Sequence, residues 1–157
     1  MGESRNRWVI VVSHYNAEIT EELLSGAQSV LSEEGVSESC IDIVRVPGAV
    51  EIPLVAQWAA QRPDTAVVIT LGAVIKGDSD HYDYVAQQVS DGCQRVALDY
   101  NLPVIFGVLT THNYQQALDR IGGSCGHYGK EAALTAVTMV HLARSQSSVK
   151  VLEDVVG

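Results

Sequence analysis

Four apolar runs rich in β-branched residues constrain this chain more than any other feature: WVIVVS (8–13), IDIVRV (41–46), AVVITLG (66–72) and PVIFGVLT (103–110). Three are nearly unbroken and the second alternates. A strand with one wet face alternates apolar and polar residues, so unbroken runs imply a sheet covered on both faces. The covering elements lie between the runs. Ile19, Leu23, Leu24, Ala27, Val30 and Leu31 form one helical stripe, closed by Gly35. Glu51 to Arg62 places Ile52, Val55, Ala56 and Ala59 on one side, with Pro63 just beyond. Tyr82 to Tyr100 carries Val85, Val89, Cys93 and Val96 at helical spacing. Gln115 to Arg120 reads as a short fourth helix, and Gly129 to Arg144 as a fifth made of small residues. Strands alternating with helices dictate right-handed βαβ units, hence a parallel sheet between two helix layers in an α/β/α stack. The tail SQSSVKVLEDVVG is open between docking and fraying.

A chain of 157 residues suits one domain over 1–157, and it contains no repeat or linker. Nineteen acids against ten Lys and Arg give a net charge of −9. That surface repels a nucleic-acid backbone, so any phosphate must be held locally by a few basic groups or main-chain N–H groups. Cys40, Cys93 and Cys125 are too widely spaced for a zinc ribbon and odd in number for a disulfide framework. MGESRNRWVIVVS makes a poor signal peptide, and no apolar run approaches a membrane span. A cytoplasmic protein is expected.

In an open parallel sheet, ligands bind beyond the carboxyl ends of the strands. Four segments follow those ends: SHYN (13–16), VPGAVE (46–51), GAVIKGDSDH (72–81) and TTHN (110–113). Gly77-Asp78-Ser79 leads into the third helix, whose first N–H groups suit either an anion or self-capping by Asp78, Ser79 or Asp80. His81, near that helix start, is a candidate proton carrier or an ordinary helix-start histidine. It has no second His or Cys at ligand spacing, so no metal is expected. Arg120, before GGSCG, offers a planar donor fork to phosphate, or is a surface arginine at a helix end. Tyr15 is a stacking platform or a core aromatic. Within PGAVE, Glu51 is a hydroxyl-binding acid or a plain first-turn acid. Phe106, the only phenylalanine, reads as packed on the fourth strand.

Taken in order, VVSHYN, VRVPGAVEIPL, TLGAVIKGDSDHYDYVA, LPVIFGVLTT, QALDRIGG and GKEAAL resemble the lumazine synthase family over about Val9 to Ala143. The resemblance implies a flavodoxin-like protomer, a pentamer, and no metal or organic cofactor. It implies condensation of 5-amino-6-ribitylaminouracil with 3,4-dihydroxy-2-butanone 4-phosphate, giving 6,7-dimethyl-8-ribityllumazine and phosphate in riboflavin biosynthesis. Tyr15 then stacks on the pyrimidine. Ala49, Val50 and Glu51 receive the ribityl chain and ring, and Ala73, Val74 and Ile75 read the pyrimidine edge through their backbone. Asp78 and Ser79 form the phosphate-side loop, Arg120 grips the phosphate, and His81 transfers protons. Phe106 is supplied to a neighbouring subunit's site, since the family sets its active sites between protomers.

The chain departs from the family at His127-Tyr128, where Asn-Lys is common, and Lys130 lies two positions later. Asp78 places an acid where many relatives have an uncharged residue or Glu. Among the family's assemblies, a shell of twelve pentamers is favoured. Arg120 to Gly126 has no insertion, and no proline precedes Trp8. Association with riboflavin synthase is a further implied partnership. Two rival readings are a scaffold that binds lumazine or flavin without turnover, and a phosphate-sensing receiver module. The receiver would need paired acids after the first strand, and SHYN supplies none.

Overall fold

The computed structural model describes residues 5–78 and 80–156, with side chains as far as residue 146. The chain order is β1 (Arg7–Ser13), α1 (Ala17–Glu33), β2 (Ile41–Val46), α2 (Ile52–Ala60), β3 (Thr65–Ile75), α3 (Tyr82–Tyr100), β4 (Val104–Thr111), α4 (Tyr114–Asp119), β5 (Ile121–Gly123), β6 (Gly126–His127) and α5 (Tyr128–Val156). The first four strands form one parallel sheet in the order β2-β1-β3-β4. That is the flavodoxin-like order as far as its fourth strand.

Side-chain alternation divides the sheet between two cores. Trp8, Ile10 and Val12 of β1, with Val67, Ile69 and Leu71 of β3, pack under α1 and α5. Val9, Val11 and Val68 pack on the other side under α2 and α3. Every residue of β3 is buried, as a central strand covered on both faces must be. Each fully buried Leu, Ile or Val contributes about 1.5–3 kcal/mol.

Five local details differ from the sequence expectation. First, β3 runs on through Ala73, Val74 and Ile75, paired with Leu109, Thr110 and Thr111. Gly72 is therefore not a strand end. It is a close-packing point, where a Cβ would stand 3.0 Å from Ser13 Oγ and 3.1 Å from Ile52 Cδ1. Second, α2 begins at Ile52, because Ala49–Glu51 form a 3₁₀ turn and Pro53 suits a helical first turn. Third, the glycine-rich stretch after Arg120 is a short antiparallel hairpin, β5 with β6. Fourth, α5 does not end at Arg144 but runs on to Val156, through the tail whose course the sequence left open. Fifth, β2 is an edge strand whose Ile43 and Val44 remain exposed, so double coverage stops at its neighbour β1. Gly35, with φ of 84°, closes α1 as expected.

The α1–α5 contact is close enough to exclude side chains. A Cβ on Gly129 would fall within the main chain of Leu23, and one on Gly26 would overlap the His127 ring. Burial holds the His127 pKa below its ordinary 6.5, and Lys130 adds to this while Glu22 and Glu131 oppose it.

Two outcomes follow from this seam. Ala exceeds Gly in helix propensity by about 1 kcal/mol. The backbone of Leu23 cannot yield to a methyl, so overpacking of about 1–3 kcal/mol wins. Gly129→Ala therefore lowers the denaturant midpoint. The folded chain also binds fewer protons at His127 than the unfolded chain. Its contribution is complete above 6.5 and is lost as pH falls through the depressed value. His127→Asn flattens the loss of stability as pH falls below 6.5, read from denaturation midpoints.

Candidate active site

Because the sheet is parallel, Ser13, Val46, Ile75 and Thr111 end at one rim. β1 stops sooner than β3, since Val12 is level with Leu71 and β3 continues to Ile75. The rim is therefore stepped, and the chain leaving β1 is held against it. His14 N donates to Val46 O at 2.8 Å and Tyr15 N to Pro47 O at 2.9 Å. Tyr15 is no core aromatic, because its side chain stands out from the rim at 56% exposure.

Beside it, the 3₁₀ turn carries Ala49 buried and Val50 exposed. Gly48 N donates to Glu51 Oε1 at 2.9 Å, so the Glu51 carboxylate is fixed by its own turn. Ala73, Val74 and Ile75 are buried as side chains, and what they bring to the rim is backbone. Lys76 N donates to Thr111 O at 2.8 Å and Asp78 N to Ile75 O at 3.2 Å, which turns the chain toward α3. Ser79 lies outside the described residues. His81 is exposed at the N-cap of α3, makes no side-chain cap, and sits with its ring 6.3 Å from that of Tyr84. The structure thus gathers Tyr15, Ala49, Val50, Glu51, Ala73, Val74, Ile75, Asp78 and His81 along one rim.

Phe106 and Arg120 are elsewhere. Phe106 is level with Thr70, five residues below Ile75, which is about 17 Å at strand rise. It packs on the α2–α3 side. Arg120 is exposed at the C-cap of α4, between Ala117 and Ile121, which both pack toward the α1–α5 side. An open groove of about 320 Å³ runs between α3 and β4, lined by Asp83, Ala86, Gln87, Ser90, Phe106 and Thr110. Among the described residues, no group of three His, Cys, Asp or Glu could hold a metal. None of their helices is long and apolar enough to cross a membrane.

Sequence reasoning missed Asn16. It adopts a left-handed φ of 63°, and its Nδ2 donates to Ala73 O at 3.3 Å and to Asp78 Oδ2 at 3.1 Å. One amide thereby joins the β1 exit to the end of β3 and to the loop before His81. Asparagine's tolerance of left-handed backbone was the available signal, but its partners lie 57 and 62 residues away.

A family model described as 6,7-dimethyl-8-ribityllumazine synthase matches residues 5–144. A 6,7-dimethyl-8-ribityllumazine synthase from Coxiella burnetii is 51% identical over 144 residues, covering 92% of this chain and 95% of that protein. One from Stenotrophomonas maltophilia is 46% identical over 136 residues, covering 87% and 88%. With the rim, its loops and nearly the whole length matched, the chain belongs to the 6,7-dimethyl-8-ribityllumazine synthase family.

Proposed function

We propose that the protein condenses 5-amino-6-ribitylaminouracil with 3,4-dihydroxy-2-butanone 4-phosphate and releases 6,7-dimethyl-8-ribityllumazine and phosphate. The observation that carries this reading is the single rim joining Tyr15, Glu51, the backbone of Ala73 to Ile75 and His81. Tyr15 offers an open aromatic face to the pyrimidine. Glu51 receives a ribityl hydroxyl beside Ala49 and Val50. Asp78 and the first-turn N–H groups of α3 sit beside the phosphate, where a helix N-terminus favours an anion.

The uracil amine attacks the ketone and water leaves to form an imine. Phosphate is then eliminated, and the ring closes with loss of a second water. Every step moves a proton, and His81 is the nearby group suited to carry it. Arg120 holds the phosphate and stabilises it as it departs. Bringing two reactive molecules together in one place supplies a large part of the acceleration. The scaffold reading is not favoured, since the relatives matched over most of the chain carry the synthase name.

We further propose that the site is shared between protomers of a pentamer, in a cytoplasmic single-domain protein. Two observations support sharing. Phe106 lies about 17 Å below its own chain's rim, too deep to pack on a ligand held there. Arg120 and His81 belong to layers on opposite sides of the sheet. A neighbour's Arg120 and Phe106 meeting this chain's His81 resolves both. Larger shells and association with riboflavin synthase are extensions of the same proposal.

The direct test mixes the protein with both substrates and follows lumazine absorbance above the uncatalysed background; no acceleration sinks the reading. His81→Ala lowers kcat by about 10- to 1,000-fold, at or below the usual range for a general acid–base group. Arg120→Ala raises KM for the butanone phosphate more than for the uracil. Co-assembling these two impaired variants raises activity above the mean of the two if sites are shared, and leaves it at that mean if each chain carries a whole site.

A further inference from the structure

Among the described residues β4 is an edge strand, paired only with β3. Pro103 O accepts from Val68 N at 3.0 Å, Ile105 O from Thr70 Oγ1 at 2.8 Å, and Thr111 O from Lys76 N at 2.8 Å. Odd-numbered carbonyls of β4 therefore face β3. Strand alternation turns the main-chain groups of Phe106 to the outer edge. There the Tyr128 hydroxyl donates to Phe106 O at 3.2 Å. At its other end, Tyr128 N donates to Arg120 O at 2.6 Å. One residue thus bridges the two candidate residues that lie away from the rim.

The bridge is mounted on a firm base. Tyr128 opens α5, whose next residue, Gly129, is pressed onto the main chain of Leu23. A Cβ on Gly107 would overlap Thr70 O and stand 3.2 Å from Ala132 Cβ, so α5 also lies directly on β4. Burial pushes the Tyr128 phenol pKa up, with Glu131 adding and Arg120 opposing, and the hydroxyl stays a donor.

We propose that Tyr128 is a positioning residue, holding the Phe106 segment of β4 by its hydroxyl and the Arg120 turn by its main-chain N–H. The consequence for catalysis rests on the proposed lumazine-forming reaction, in which Phe106 packs on the heterocycle and Arg120 holds phosphate. The two contacts are separable by chemistry. Tyr128→Phe removes the hydroxyl alone and leaves the N–H to Arg120 in place.

The full-length wild type and Tyr128→Phe are compared by hydrogen exchange without substrate, and by steady-state kinetics. Exchange across residues 104–110 becomes faster in the variant. KM for the ribitylaminouracil rises by about 3- to 10-fold, the range expected for one neutral hydrogen bond. Over the same comparison, kcat and KM for the butanone phosphate stay within about twofold. Unchanged exchange overturns the proposal. A rise confined to the butanone phosphate KM also overturns it, because Tyr128 would then be contacting phosphate itself. If the wild type forms no lumazine, the reading of the reaction fails while exchange still decides whether the tether exists.

Discussion

The complete burial of β3 is the constraint on which the rest depends. Its backbone polar groups cannot be left unpaired in an apolar interior, so it needs a strand on each side. Its side chains point both ways, so it also needs a helix layer over each face. β1 and β4 supply the first, and the α1–α5 and α2–α3 layers supply the second. Parallel pairing then follows from the crossover helices, and it carries every strand end to one rim. Most of the proposed site residues are thereby gathered at segments that share no sequence proximity.

The two helix layers meet the sheet differently. On one side, α1 and α5 approach through glycines at 26 and 129, which makes the seam intolerant of even a methyl. That rigidity fixes where α5 begins, and with it the positions of His127 and Tyr128. Tyr128 is held at both ends. Its hydroxyl and N–H both have main-chain partners.

The larger elements were legible in the sequence because their patterns are long. The β1 run, the α1 stripe and the α3 spacing each extend over enough residues for one periodicity to prevail. Shorter signals misled. Gly72 looks like punctuation, yet it marks the space needed by Ser13 and Ile52, and the strand continues past it. IDIVRV has the composition of a core strand and lies at an edge. β5 and β6 have Ile121 as their lone β-branched residue, so nothing local distinguishes them from a loop. At the site, Tyr15, Glu51 and His81 stood out as chemistry at predicted strand ends. The depth of Phe106, the opposite siding of Arg120 and the reach of Asn16 depend on strand register and layer assignment, which no local window contains.

The Asn16 amide has a consequence for which sequences can occupy the rim. Hydrogen-bonding in β3 alternates so that Ala73 O points toward β1, but the chain leaves β1 before it can answer with another main-chain N–H. A side-chain donor completes the ladder instead. Both of its partners, a carbonyl and a carboxylate, are acceptors. An aspartate would match the shape and the left-handed backbone, yet it would set oxygen against oxygen twice. Position 16 is therefore selected by the direction of its hydrogen bonds, and conversion of this amide to an acid by slow hydrolysis would age the rim from within.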